Sequence, residues 1–249
     1  MQVKITIALM FILLTTGYAN PVKAEVPIEK TIKVVQQNNT PKPTIIFAHG
    51  CGGVQRPHAD LKSRLIADWG YNVVVVDSFT KRRAWDVCSD TLSVSSSQRS
   101  LDIRDAVNWI LQQPWHQGKI GIIGYSHGGA GVLHTVGHRD SKHISAAVAF
   151  YPGCSSYVVG QDYRYGYMPL QIHIGTGDLW TPANRCRKEI HGPDDQPFEF
   201  FAYDGAMHSF DMPGSNYFYQ GHLIAYDEKA TNLSERRTRE FFEKHIKNN

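Results

Sequence analysis

Ser126 stands between a strand-like and a helix-like segment, in the motif Gly124–Gly128 (GYSHG in one-letter code). The apolar segment Lys119–Gly124 has the composition of a buried strand, and residues 127–136 have a helical pattern. A serine flanked by glycines in this context is typical of a nucleophile elbow, because the sharp turn leaves room only for small neighbours. The motif therefore predicts a strained turn at the carboxyl end of a parallel strand, with the Ser126 hydroxyl exposed.

Strand-like and helix-like segments alternate along the rest of the chain. Val73–Val76 is β-branched throughout, which is typical of a strand covered on both faces, whereas residues 97–113 have apolar side chains at helical spacing. This alternation predicts an α/β fold with a mainly parallel central sheet flanked by helices on both faces. The other predicted strands are 44–48, 144–151, 170–174 and 198–203, and the other predicted helices are 61–69, 182–191 and 233–246.

The N-terminal segment differs from the remainder. A positively charged start is followed by the apolar run Ile5–Leu14 and then by small residues. The run is too short to span a bilayer, and the pattern is typical of a secretory signal peptide. We predict cleavage after Ala19 or Ala24, a signal peptide of residues 1–24, and one domain over residues 25–249 in a secreted or periplasmic protein without a stable membrane anchor.

Charge is spread evenly over the chain. The formal net charge is +3, and 20% of the residues are charged. The densest positive run, Lys81–Arg83, is too short to form a nucleic-acid-binding stripe, so no nucleic-acid partner is predicted.

The four cysteines are an even set, which in an exported protein predicts two disulfides. Four cysteines allow three pairings. Because loops after successive parallel strands emerge on one side of a sheet, we predict the pairs Cys51–Cys88 and Cys154–Cys186. None of the four has metal-ligand spacing, so neither a metal nor another cofactor is predicted.

A serine hydroxyl is a weak nucleophile unless a base accepts its proton. Where a nucleophile elbow occurs, an acid and then a histidine follow the serine along the chain. Asp178 and His208 each come shortly after a predicted strand, where the carboxyl ends of parallel strands form ligand sites. We predict His208 as the base and Asp178 as the acid that orients it; Asp204 remains the alternative acid because it lies so near His208.

An oxyanion requires preorganised N–H donors. The amide of the residue after the nucleophile, His127, is the first candidate. The second is the amide of Cys51, in the glycine-rich loop His49–Gly53 that follows an early strand. The His127 side chain itself is expected to be a structural or rim residue.

Substrate-binding candidates also follow the predicted strands. Arg82 and Arg83 come after Val73–Val76 and can hold a substrate carboxylate; the alternative is that both are solvent-facing loop charges. Tyr151 and Trp180 follow later strands and are expected to line the cleft.

Taken together, six motifs carry a resemblance: HGCGG, VVVVDSF, GYSHGG, FYPGC, GD-x-WTP and the late Y-x-x-x-x-H. With them the chain from about Thr44 to Phe210 resembles the dienelactone hydrolase family. The resemblance implies a single-domain α/β-hydrolase fold with a small or absent cap, acting on esters or lactones, and a triad at Ser126, Asp178 and His208. Family members typically carry a cysteine nucleophile; the serine here favours a general carboxylesterase.

We therefore expect a secreted serine hydrolase that cleaves small-molecule carboxylic esters or lactones through an acyl-enzyme intermediate. A peptidase or amide hydrolase with the same triad is one alternative, because the leaving group is not encoded in these motifs. A non-catalytic hydrolase-like binding protein is the other, although such proteins normally lack a triad member, and all three are present here.

Overall fold

The computed structural model describes residues 26–35, 40–154, 168–189 and 198–247. The predicted signal peptide, residues 1–24, and the last two residues of the predicted helix 182–191 lie outside the described residues. Within the described ranges the chain builds a seven-stranded sheet and a separate two-stranded hairpin.

The seven-stranded sheet has the order β1-β3-β2-β4-β5-β6-β7. Only β1 is antiparallel to its neighbour, β3. All other neighbours are parallel, so the carboxyl ends of β2 to β7 meet at one edge. The strands are β1 (Ile32–Val35), β2 (Lys42–Ala48), β3 (Asn72–Val76), β4 (His116–Tyr125), β5 (Ile144–Phe150), β6 (Leu170–Gly175) and β7 (Phe198–Tyr203).

Helices cover both faces of this sheet. A Cβ on Gly121 of β4 would meet Phe242 and Ile246 near the C-terminus, whereas a Cβ on Gly124 would meet Val132 of the helix after Ser126. Residues three apart on a strand point to opposite faces, so these two helices lie on opposite sides. The helices are α1 (Pro57–Asp68), α2 (Ser96–Ile110), α3 (His127–Val136), α4 (Ala183–Glu189) and α5 (Glu228–Phe242), which continues as a π-helical turn (Glu243–Lys247).

The predicted mainly parallel α/β fold is confirmed, but two helices begin earlier than predicted. The first begins at Pro57 rather than Leu61, because the fixed φ of proline suits the first helical position. The last begins at Glu228 rather than Leu233, because the Asp227 side chain accepts a hydrogen bond from the Ala230 amide and caps the helix.

Two elements are absent from the sequence-based prediction. The first is the edge strand β1. The second is the hairpin formed by β8 (Asn216–Tyr219) and β9 (His222–Ala225), which pair antiparallel. Gln220 and Gly221 connect them with φ values of 50° and 79°, the two positive values that a tight type I′ hairpin turn requires.

In the described part of the chain, no helix combines the length and apolar character needed to cross a membrane.

Candidate active site

Ser126 occupies a strained turn directly after β4. Its φ of 53° and ψ of −115° lie in a region that side-chain-bearing residues rarely adopt. The turn is possible because Gly124 and Gly128 lack a Cβ: one on Gly128 would lie 2.1 Å from the Ala48 carbonyl oxygen, and one on Gly124 would lie 2.4 Å from the Gly128 oxygen. The Ser126 amide donates to the Phe150 carbonyl at 2.9 Å, which fixes the turn against β5.

His208 connects this serine to a carboxylate. Its Nε2 lies 3.0 Å from Ser126 Oγ, and its Nδ1 lies 2.7 Å from Asp178 Oδ2. An ionised carboxylate only accepts, so Nδ1–H is the donor to Asp178 and the Nε2 lone pair faces the serine hydroxyl. The three side chains therefore form the hydrogen-bonded chain that a Ser-His-Asp triad requires.

Asp178 is buried at the carboxyl end of β6. Burial raises the pKa of this carboxyl group, but hydrogen bonds from His208 and Thr181 outweigh burial and hold the pKa below its usual value. The amides of Trp180 and Thr181 also donate to Asp178 Oδ1, at 2.8 and 2.9 Å. The carboxylate is therefore ionised at neutral pH and fixed in position.

The alternative acid, Asp204, lies elsewhere. Its carboxylate is exposed and accepts a hydrogen bond from Thr176 Oγ1 at 3.3 Å. Among the described residues, His208 has a hydrogen bond to Asp178 and none to Asp204, so Asp178 is the acid paired with the histidine.

The two residues whose amides are the predicted oxyanion donors lie near the serine: Cys51 lines the same cavities as Ser126, and His127 follows it in the chain. Cys51 follows β2, and His127 is the first residue of α3. The N-terminus of a helix favours negative charge, so an oxyanion beside the His127 amide would be stabilised there. Cys51 and Cys88 form a disulfide whose Cα atoms are 4.8 Å apart, and the Val87 amide donates to the Cys51 carbonyl at 2.9 Å. The loop that carries the Cys51 amide is thus held covalently and by hydrogen bonding.

The His127 side chain points into the protein. Nδ1 accepts from the Arg99 guanidinium at 3.0 Å, and Nε2 donates to the Thr91 carbonyl at 3.2 Å. Burial, reinforced by the charge of Arg99, lowers the pKa of His127 to about 3. The imidazole is therefore neutral and structural, and only the backbone amide of this residue is available to a substrate.

Two cavities meet at the serine. One has a volume of about 210 Å³ and includes His127, and the other has a volume of about 380 Å³ and includes His208. Trp180 lines both cavities, and Tyr151 lines the larger one. The ring centroids of Trp180 and Tyr151 lie 4.9 and 4.7 Å from that of His208, so both aromatic candidates adjoin the triad.

Among the described residues that line the two cavities, neither Arg82 nor Arg83 is present, so their proposed role in substrate binding has no support from the cavity lining. The Arg82 guanidinium binds both carboxylate oxygens of buried Asp102 on α2, at 2.7 and 3.1 Å, and is thereby committed to the interior. Lys81 pairs with the same carboxylate. A buried carboxylate is costly unless cations pair with it, and Lys81 and Arg82 of the basic run are the cations that pair with Asp102.

Several of the cavity-lining residues were not identified from the sequence. Arg185 on α4 lines the smaller cavity. Arg56, Tyr217 and Tyr219 line the larger one. The tyrosines belong to the hairpin β8–β9, and its Gln-Gly turn is a weaker signal than the Asn-Gly or Asp-Gly pairs that usually mark hairpins.

A buried polar network behind Tyr151 was also not identified. Asp211 accepts from the Tyr151 hydroxyl at 2.6 Å, from His58 Nε2 at 3.1 Å and from Lys62 Nζ at 3.2 Å. Burial raises the pKa of Asp211, but His58 and Lys62 outweigh it and hold the pKa far below its usual value. This network fixes the Tyr151 ring, which packs against His208.

The second disulfide joins Cys154, after β5, to Cys186 of α4, with a Cα separation of 4.8 Å. Cys154 lines the smaller cavity, and Cys186 is fully buried.

Within the described ranges, no group of three or more His, Cys, Asp or Glu side chains is arranged to hold a metal ion.

Comparisons with known proteins agree on the kind of fold that carries this site. A family model described as "Dienelactone hydrolase family" matches residues 31–246. The mouse (Mus musculus) carboxymethylenebutenolidase homolog is 33% identical over 98 residues, which are 37% of this chain and 40% of the relative. The chain thus matches less than half the length of that relative.

Two solved structures share the architecture. The dienelactone hydrolase from Anabaena variabilis superimposes with a TM-score of 0.66 at 18% identity, covering 86% of this chain and 91% of that one. An esterase from Pyrococcus furiosus superimposes with a TM-score of 0.62 at 18% identity, covering 84% and 85%. At these identities the likeness concerns the fold alone.

Proposed function

This chain belongs to the dienelactone hydrolase family and is an α/β-hydrolase of the carboxylesterase type, and from this premise we propose that it cleaves carboxylic esters or lactones by acyl transfer to Ser126. The observation that carries the proposal is the hydrogen-bonded chain from Ser126 Oγ through His208 to Asp178. Its order and geometry are those required to activate a serine hydroxyl.

Acylation begins when Ser126 Oγ attacks the carbonyl carbon and His208 Nε2 accepts the hydroxyl proton. The carbonyl oxygen becomes an oxyanion, which on this proposal the amides of Cys51 and His127 stabilise. The intermediate then collapses, the ester C–O bond breaks, and His208 donates its proton to the leaving oxygen. The ionised Asp178 stabilises the imidazolium that exists between these two proton transfers.

Deacylation uses the same groups. A water molecule attacks the acyl carbon while His208 accepts its proton, and the Ser126 oxygen leaves with that proton as the acid is released. A lactone follows the same course, except that the leaving alcohol stays attached to the product. Water is the only co-reactant that this hydrolysis consumes.

We also propose that the enzyme acts outside the cytoplasm after removal of residues 1–24. The two disulfides support this location, because such bonds persist in oxidising compartments. The apolar N-terminal run supports it independently.

The decisive experiment offers the purified mature protein p-nitrophenyl acetate, a simple alkyl ester, a small lactone and a peptide p-nitroanilide. We expect turnover of the esters and the lactone, and labelling of Ser126 by a fluorophosphonate. Hydrolysis of the anilide alone would identify an amide hydrolase instead. Absence of both turnover and labelling would identify a non-catalytic binding protein.

A further inference from the structure

The cleft around Ser126 has two arms. The larger arm, about 380 Å³, is lined by His208, and the smaller arm, about 210 Å³, is lined by His127. Ser126, Cys51 and Trp180 line both, so the arms join at the nucleophile. Among the described lining residues, His208 belongs to the larger arm only and His127 to the smaller arm only.

The chemistry of acyl transfer assigns each arm to one side of the ester. The leaving oxygen must receive a proton from His208 Nε2, so the alcohol part lies in the arm that contains His208. The acyl part lies on the other side of the scissile bond, beyond the His127 amide. The larger arm is therefore the alcohol site, and the smaller arm is the acyl site.

Aromatic rings surround the alcohol site. Trp180 lies at the junction of the arms and stacks on His222 of β9, with ring centroids 4.9 Å apart and planes 8° from parallel. Tyr217 and Tyr219 of β8 line the site beside Tyr125 and Tyr151.

Trp180, Tyr217 and Tyr219 form the aromatic wall of the alcohol site. The hairpin side of this wall is held in place. Tyr219 Oη donates to Asp86 Oδ2 at 3.0 Å, and Arg56 pairs with the same carboxylate at 3.1 Å. The Arg56 guanidinium also lies 5.8 Å from the Tyr219 ring centroid. The alcohol site is thus a preformed set of rings, suited to stacking against a flat, apolar group.

The acyl site is smaller and has few rings. Its other walls include Thr91, Ala130, Gly153 and Pro182, all with short or compact side chains, together with the long side chain of Arg185. The Cys154–Cys186 disulfide joins the loop after β5 to α4 at this site.

We propose that the preferred substrates are esters of an aromatic alcohol with a short acyl group. The inference rests on the proposed function and names the substrate class of that site. In the reaction, a bond forms between Ser126 Oγ and the short acyl carbon, the bond from that carbon to the aromatic alcohol oxygen breaks, and the serine proton passes through His208 to this alcohol. Water then releases the short acid.

The test uses two isomeric esters that differ only in the side on which the ring lies. Benzyl acetate has the ring in the alcohol, and methyl phenylacetate has it in the acyl group. For the mature enzyme we expect kcat/KM to be at least about tenfold higher for benzyl acetate, the lower end of the discrimination that a fitted apolar pocket provides. Cyclohexylmethyl acetate, whose ring cannot stack through π electrons, should be about threefold or more slower than benzyl acetate.

A matched pair of variants locates the preference. Tyr217→Ala should lower the ratio of kcat/KM for benzyl acetate to kcat/KM for ethyl acetate by roughly threefold to tenfold, because benzyl acetate loses a stacking partner that ethyl acetate does not use. Phe218→Ala is the control: it is the next residue of β8, is 75% exposed and lines neither arm. The control should leave both substrates unchanged.

Three results would overturn the inference: equal or faster turnover of methyl phenylacetate, equal turnover of cyclohexylmethyl and benzyl acetates, or indistinguishable effects of Tyr217→Ala and Phe218→Ala. In each of these cases ester hydrolysis itself persists, so the proposed function stands. If neither these esters nor ethyl and p-nitrophenyl acetates are hydrolysed, the proposed function fails and the substrate assignment fails with it.

Discussion

Cys51 and Cys88 form a disulfide that joins the proposed oxyanion loop after β2 to the loop that carries Asp86. Asp86 in turn holds Tyr219 of the hairpin. The disulfide and the hydrogen bond between Tyr219 and Asp86 therefore connect the loop proposed to stabilise the oxyanion with the aromatic wall of the larger cavity.

Opening this disulfide should lower activity more than it lowers secondary structure. The chain-entropy contribution of a loop of 37 residues is about 3–4 kcal/mol, and much of the sheet does not depend on it. We expect the double variant Cys51→Ser, Cys88→Ser to lose most of its kcat on p-nitrophenyl acetate while keeping its far-UV circular dichroism. Cys154→Ser with Cys186→Ser is the comparison, and equal losses of kcat in the two double variants would contradict the specific role of Cys51.

Ser126→Ala should abolish ester turnover without unfolding the protein. Removal of a triad serine costs about 10⁶-fold in kcat, and alanine retains the Cβ that the turn already accommodates. Steady-state kinetics with thermal denaturation as the folding control provide the measurement. Hydrolysis near the wild-type rate in a folded variant would refute the assignment of the nucleophile.

Asp178→Asn should lower kcat by roughly 10⁴-fold, because an amide no longer holds His208 in the tautomer that presents the Nε2 lone pair to Ser126. Asp204→Asn is the matched control, since its carboxylate is exposed and contacts Thr176 rather than His208. Kinetics of both variants decide between the two acids: a large loss in Asp204→Asn with little change in Asp178→Asn would reverse the assignment.

The exported protein should begin near Asn20 or Glu25, since cleavage is predicted after Ala19 or Ala24. N-terminal sequencing of protein recovered from outside the cytoplasm is the measurement. Recovery of protein with an intact Met1 from the cytoplasm alone would contradict both the signal peptide and the location.

Buried His173 should make stability fall below about pH 6.5, the reference pKa of a solvated histidine. Burial, reinforced by the charge of Arg237, lowers the pKa of His173 to about 3 in the folded state. The unfolded chain therefore takes up a proton first as the pH falls, so the stabilisation is complete above the unfolded pKa and is lost on acidification. The contribution is at most about 1.4 kcal/mol per pH unit.

Urea unfolding between pH 7 and pH 4 tests this dependence. His173→Gln should flatten the slope of the unfolding free energy against pH, and the exposed His143→Gln should leave the slope unchanged. Identical slopes in wild type and His173→Gln would show that other groups account for the acid sensitivity.

The sequence identified candidate site residues where the role of a residue depends on its neighbours along the chain. Gly124 is required by a contact within the motif, because a Cβ on it would lie 2.4 Å from the Gly128 oxygen, so the turn is visible in the motif itself. Asp178 and His208 are identified for a similar reason, because each follows a buried parallel strand. What a motif could not decide was whether Asp178 or Asp204 faces the histidine, since that depends on the directions of two loops.

The basic run Lys81–Arg83 shows the limit of such reasoning. A position after a strand suggested a substrate contact, yet Asp102, about twenty residues later on α2, holds Arg82 in the interior. The aromatic wall was missed for the opposite reason: Tyr217 and Tyr219 lie far along the chain from Ser126 and reach the cleft only because the hairpin folds back over it.

The sequence by itself determined the order of the parallel strands β2–β7 and of the helices along the chain, the elbow at Ser126 and the set of residues from which a triad can be drawn. These depend on local hydrophobic pattern and on steric limits within a few residues. Only the tertiary structure decided that Asp178 rather than Asp204 contacts His208, and that the cleft divides into an aromatic arm and a small arm. Both outcomes depend on contacts between residues distant in sequence, and such contacts are set by how the helices and loops pack around the sheet.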